Sequence, residues 1–131
     1  AYFYGSADDN TFYGNRDSAA YSAMIGTGFY NYAQGFDYVE ADVDADGAVA
    51  THGTGGAVGG TDTAHLYDSA LNDLFAASGD VASWDFGYDT VVDLLARGFD
   101  LVGAHSRSGD SDTKQETPPI DFSLVYYDEW P

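Results

Sequence analysis

The residues best placed to do chemistry are the three aspartates of Asp42-Val43-Asp44-Ala45-Asp46-Gly47. Carboxylates at alternate positions, followed by a glycine that permits a sharp turn, reproduce the first half of a calcium loop. The twelfth position, where such a loop places a bidentate acid, is Gly53, so the closing ligands would have to come from elsewhere. The same stretch also suits a hairpin, with residues 39–43 turning through 45–47 into 48–51 and the aspartates solvated on one face. Both can hold at once. Asp9 and Asp73 are weaker calcium candidates, because Asp8-Asp9-Asn10 and Asn72-Asp73 each stand just before an apolar Phe12 or Phe75. Turn chemistry explains those two without any metal. Asp37 and Asp100, each after Gly-Phe, suit corners held by side-chain-to-backbone bonds.

Signals for catalysis are thin. His52, His65 and His105 fall in no metal-like spacing, and no nucleophile elbow, phosphate loop or His-Glu helix pair is present. Paired acids hydrolyse glycosides in some enzymes, but among 22 Asp+Glu in 131 residues chance pairs are unavoidable. The chain is expected not to be an enzyme.

Charge narrows the partners. Four Lys+Arg against 22 Asp+Glu give a net charge of −18, so phosphate-rich nucleic acid and anionic lipid would be repelled. Nineteen of the acids are Asp and only Glu40, Glu116 and Glu129 are Glu. That skew favours turns, caps and hard oxygen ligation over helix interiors. Self-repulsion at this charge destabilises a compact state unless cations, salt or burial in an assembly relieve it. Cysteine is absent, no apolar run reaches membrane-spanning length, and an extracellular, secreted or cell-surface location is expected for a processed chain.

The elements that must position these residues repeat. Shifted by 63 residues, Ala1–Ala41 falls on Ala64–Ala104 without a gap, with 14 of the 41 positions identical. Short strand-like runs between Gly, Asp, Asn and Ser, with 11 Tyr and 8 Phe, predict an all-β fold. The duplicated unit predicts a parallel β-helix or solenoid-like stack, with a β-sandwich of duplicated halves as the alternative. One domain is expected, made of repeats 1–63 and 64–123 plus a terminal strand 124–131. Residues 42–63 and 105–123 do not match each other and are expected to be loops. Tyr4 should match Tyr67, Phe12 Phe75, Phe36 Phe99 and Val39 Val102, with the phenylalanines and valines buried. Thr90–Arg97 could form two helical turns but lies over Thr27–Gln34 in the repeat, so a strand is expected.

The repeated blocks are similar to a known family. Leu66-Tyr-Asp-Ser-Ala-Leu-Asn-Asp-Leu-Phe75 with Ala96-Arg-Gly-Phe-Asp-Leu-Val-Gly-Ala104, and their counterparts in Ala1–Ala41, resemble the tandem repeats of large secreted bacterial proteins. Those carry a LYDSAGDDTF…GFDxVxA pattern and are described as calcium-binding or β-solenoid. This chain departs from the pattern at Gly5, Leu71 and Leu74. The resemblance implies an extracellular structural or adhesive role and supplies no catalytic residue.

Together these readings predict a module that assembles head-to-tail with copies of itself into a filament or surface layer, with calcium as glue. Phe122, Leu124 and Tyr126 share one face of the last strand, and Ser123, Val125 and Tyr127 the other. That strand could therefore be buried on both sides against Ala1–Tyr4 of a neighbour. The alternative function is a carbohydrate-binding or glycoside-hydrolysing β-domain, with glycans stacked on Tyr30, Tyr32, Trp84 or Trp130.

Overall fold

A computed structural model describes residues 1–5, 8–15, 22–43, 61–106, 111–128 and 130. Among them are twelve strands and no helix, hence none long and apolar enough to cross a membrane. The strands are β1 (Tyr2–Tyr4), β2 (Thr11–Gly14), β3 (Ser22–Gly26), β4 (Phe29–Ala33), β5 (Val39–Asp42) and β6 (Thr63–Tyr67). They continue as β7 (Leu74–Gly79), β8 (Val81–Asp85), β9 (Leu94–Arg97), β10 (Leu101–Ser106), β11 (Thr113–Ile120) and β12 (Ser123–Asp128). The all-β expectation is met.

Two six-stranded mixed sheets result, ordered β1-β5-β9-β8-β7-β11 and β12-β10-β6-β2-β3-β4. Neither closes into a barrel. Hairpins β2-β3-β4 and β7-β8-β9 supply the antiparallel pairs. All other neighbours are parallel, because the chain crosses between sheets before it pairs again.

The 63-residue offset carries β1, β2, β4 and β5 onto segments of β6, β7, β9 and β10. It does so with the sheets exchanged. The outer strands of the first unit lie in the first sheet and its hairpin in the second; the second unit reverses this. Strands alternate inward and outward residues, so a whole-unit offset that keeps register keeps the buried face even when the sheet changes. Phe12 and Phe75 are both fully buried, as are Val39 and Val102.

The inward residues form one core. Phe3, Ala41, Phe75, Ala82, Trp84, Leu94 and Ala96 from the first sheet meet Phe12, Met24, Ala64, Leu66, Val102 and Ala104 from the second. Alanines at many inward positions leave room for the rings: Phe12 lies against Phe3 and Phe99, and Phe75 against Trp84. Close packing of this kind leaves little tolerance for added volume. A Cβ on Gly14 would come within 2.8 Å of Leu94 and Phe12.

Four expectations need correction. Trp84, expected as a ring for glycan stacking, is 0% exposed in the core. Phe36 is half exposed whereas Phe99 is 2% exposed, so this pair does not share an environment. Phe99 packs on Phe12 of the preceding unit, while Phe36 lies in the connection from the edge strand β4 to β5, beyond which only β1 follows in the first sheet. The segment 105–123 is not all loop, since it contains β11, an edge strand. Its prolines, 118 and 119, fit there because an outer strand need not donate on both sides. Thr90–Asp93 is loop, and only Leu94–Arg97 is strand.

Candidate functional site

The loop between β8 and β9 gathers the three carboxylates of Asp85, Asp89 and Asp93, with oxygens within 4.8 Å of one another. Asp85 and Asp93 are buried and Asp89 is exposed. Oxygens on a calcium shell of radius about 2.4 Å are at most about 4.8 Å apart, so these can serve one hard cation. The loop is built by the same side chains. Asp85 accepts the Asp89 and Thr90 N–H groups through its two oxygens, each at 2.9 Å. Asp93 Oδ2 accepts the Phe86 N–H at 2.8 Å, and the Asp93 N–H returns to the Trp84 carbonyl. Asp89 Oδ1 takes the Val91 N–H. Tyr88 and Thr90 hold positive φ of 52° and 73°, a region costly for side chains with a Cβ and for a β-branched one above all. The carboxylate-to-backbone bonds offset that strain.

A second set of acids holds the corners before β2 and β7. The Thr61 N–H donates to Asp9 Oδ1, and the Asn10 N–H and Nδ2 both donate to Asp62 Oδ1. In the second unit Ser111 N–H donates to Asn72, and Asp73 N–H to Asp112 Oδ1. Asp73 itself accepts from the Ser69 N–H, the Ser69 hydroxyl and the Gly87 N–H. Burial pushes the Asp73 carboxyl above its ordinary range, against those hydrogen bonds. Burial likewise pushes Asp62 up to about 6, with the Asn10 bonds opposing and Asp100 and Asp9 adding. Asp100 Oδ2 takes the Asp62 N–H at 2.8 Å, the corner role read for it from sequence.

The residues named from sequence are thus dispersed. Asp9 and Asp73 serve these corners. Asp42 ends β5, half-buried, in register with Tyr4 and Arg97, and its carbonyl accepts the Gly5 N–H. Asp44 and Asp46 lie outside the described residues. Phe122, Leu124 and Tyr126 pack partly buried against the core, while Val125 and Tyr127 stay more than a third exposed. The last strand is therefore covered on one face, lying parallel on β10 of its own chain.

Asp85, Asp89 and Asp93 were legible as aspartates at i, i+4 and i+8, yet the repeat hid them. The offset lays them on Ser22, Gly26 and Tyr30, none of which is acidic. In the second unit the first hairpin turn is tight and the second connection long, and in the first unit the reverse holds. The gapless alignment conceals this exchange because the two length changes cancel. Comparison with family models, curated proteins and solved structures gave no match.

Proposed function

We propose that the chain is an extracellular structural or adhesive repeat module, stacked solenoid-fashion and associating head-to-tail, with calcium bound at Asp85, Asp89 and Asp93. The observation that carries this reading is the pair of open ends. Among the described residues, β1 and β4 leave their outer edges unpaired at one end, and β11 and β12 at the other. Unpaired edges recruit further strands unless blunted. At the first end the exposed surface is aromatic: Tyr2, Tyr4, Tyr30, Tyr32 and Phe36 are each at least half exposed. Phe36 lacks there the cover that Phe99 finds on Phe12. Because successive units already exchange sheets, β12 of one copy can lie beside β1 of the next in the same manner. The high negative charge gives calcium a second role, lowering the repulsion between stacked copies.

Edge geometry supplies the test of assembly. Ala1 carbonyl accepts from Glu40 and the Gly5 N–H donates to Asp42, so odd positions of β1 face β5 and even positions face outward. Tyr4→Pro removes an outward donor from a residue whose side chain is 68% exposed. Sedimentation and negative stain should show elongated particles for the parent and a folded monomer for Tyr4→Pro. A parent that stays monomeric at every concentration, and is instead retained on polysaccharide, would favour the carbohydrate-binding alternative.

Calcium should raise thermal stability, by about 2.7 kcal/mol at a hundredfold excess over Kd if only the folded state binds. Asp89→Asn, at the exposed member of the cluster, should remove that gain with little change in the calcium-free protein. A flat calorimetric titration at millimolar calcium would remove calcium from the reading and leave assembly to stand alone.

A further inference from the structure

On the outer face of the second sheet, strand order brings two histidines together. His65 of β6 and His105 of β10 meet head-on, with His65 Nδ1 3.0 Å from His105 Nε2 and the ring centres 5.3 Å apart. Such a contact is a hydrogen bond in which one nitrogen donates and the other accepts. His105 stacks with two phenol rings, Tyr67 at 4.4 Å and Tyr127 at 4.5 Å between centres. Its other nitrogen, Nδ1, lies 3.1 Å from Asp128 Oδ2. Tyr13 of β2 stacks on His65 at 5.4 Å. Gly103, in register with His65, leaves the space these rings fill, since a Cβ there would come within 3.0 Å of His65 Nδ1 and 2.8 Å of Tyr127.

That hydrogen bond limits how many protons the pair can hold. In the neutral pair Asp128 accepts from His105 Nδ1, so His105 Nε2 offers its lone pair and His65 Nδ1 donates. A first added proton is accommodated. His105 then carries N–H at both nitrogens, one toward Asp128 and one toward His65, while His65 accepts at Nδ1 and keeps its own proton on Nε2. The carboxylate and the faces of Tyr67 and Tyr127 favour a cation at that place. A second proton finds only His65 Nδ1. It sets two N–H groups head-on across 3.0 Å and two cationic rings side by side, in a partly buried site where like charges repel more than in water. Burial, and after it the neighbouring His105, already hold His65 below its ordinary pKa. The groups facing the pair are Tyr13 on β2, Tyr67 on β6, and Tyr127 and Asp128 on β12. Asp68, after β6, donates its N–H to the His105 carbonyl. The charge that meets the imidazoles comes from Asp128, and a single carboxylate balances one added proton rather than two.

We propose that His65 and His105 are a one-proton latch: with at most one added proton they tie β12 to β10 and β6, and a second proton in acid parts the rings and frees β12. The latch holds the last strand of its sheet. Among the described residues β12 pairs with β10 only, and its Tyr127 and Asp128 both contact the His105 ring. Parting His65 from His105 displaces that ring, and with it the Tyr127 stack and the Asp128 contact. β12 is also the outer edge at one end of the molecule, so in the head-to-tail reading the same event undoes the joint in acid. That consequence rests on the proposed assembly; the latch lies within one chain and does not.

The test is amide hydrogen exchange of the full chain, dilute and in chelator, read over residues 123–128 at pH 7 and pH 4.5 and corrected for the intrinsic pH dependence of exchange. His65→Gln is the control, because its amide oxygen accepts from His105 Nε2 and takes up no proton. An imidazole released from the pair titrates near about 6.5, so at pH 4.5 the second proton favours the open form by up to about a hundredfold. Protection of β12 should fall by about that factor in the parent and by less than about threefold in His65→Gln, with β2 and β6 protected in both. Proton magnetic resonance of the parent alone gives a second reading: the His65 and His105 rings should titrate in two steps, the lower one coinciding with the opening of β12. Imidazoles that titrate independently while β12 stays protected would overturn the latch. So would equal loss in parent and His65→Gln, which assigns the acid response to carboxylates. A parent that is monomeric at every concentration but opens β12 in acid keeps the latch and removes only its consequence for assembly.

Discussion

Replacing Phe12 or Phe75 by alanine should each lower the unfolding free energy by about 3–5 kcal/mol, the usual cost of deleting a buried phenyl ring. Both side chains are 0% exposed. Phe12 meets Phe3 at 5.5 Å and Phe99 at 6.2 Å between ring centres; Phe75 meets Trp84, Tyr126 and Trp130. Part of the loss is transfer of the ring to water, and part is the cavity left between sheets that strand pairing keeps from collapsing. Phe36→Ala, at a half-exposed site, should change stability by no more than about 0.5 kcal/mol. Urea denaturation of the three variants makes the comparison. Similar losses for Phe36→Ala and Phe12→Ala would mean that the end of the stack is covered within the chain, against the open-end reading.

The contrast between Phe36 and Phe99 marks how far the sequence reaches. Inward and outward alternation, and the strand class itself, follow from side-chain type and period, and these were readable in Phe12, Val39, Phe75, Phe99 and Val102. The strand-to-sheet assignment was not readable, because a repeat offset preserves which residues face inward but says nothing of which sheet receives them. β3 and β8 escaped notice since Ser22–Gly26 and Val81–Asp85 are short and rich in small residues, and become strands only by pairing within hairpins. β11 has almost no apolar residue in Thr113–Ile120; it is strand because β7 offers it an edge. The Asp85, Asp89 and Asp93 grouping depends on a loop length that the cancelling changes masked. His65 and His105 are 40 residues apart and meet only where β6 pairs with β10, so their contact depends on strand order.

Asp62→Asn should stabilise the protein above neutral pH and flatten its pH dependence. Asp62 is 1% exposed and its Oδ1 accepts two bonds from Asn10, but neither donor carries a charge. Burial therefore dominates and lifts the carboxyl from 3.8 to about 6. A folded-state pKa above the unfolded value means that the native state holds this proton more tightly. The associated stability is complete below about 3.8 and is lost as pH rises through about 6. Two pKa units correspond to about 3 kcal/mol. Asp73, raised for the same reason, acts with the same sign. Asparagine retains an oxygen for Asn10 and never ionises, so Asp62→Asn should match the parent at pH 4 and exceed it by up to about 3 kcal/mol at pH 7.5. Urea denaturation in chelator at both values measures the difference, free of any cation that would favour the ionised carboxylate. A gap between the two proteins that does not change with pH would show that Asp62 stays ionised in the folded state, and that its neighbours rather than its burial set its charge.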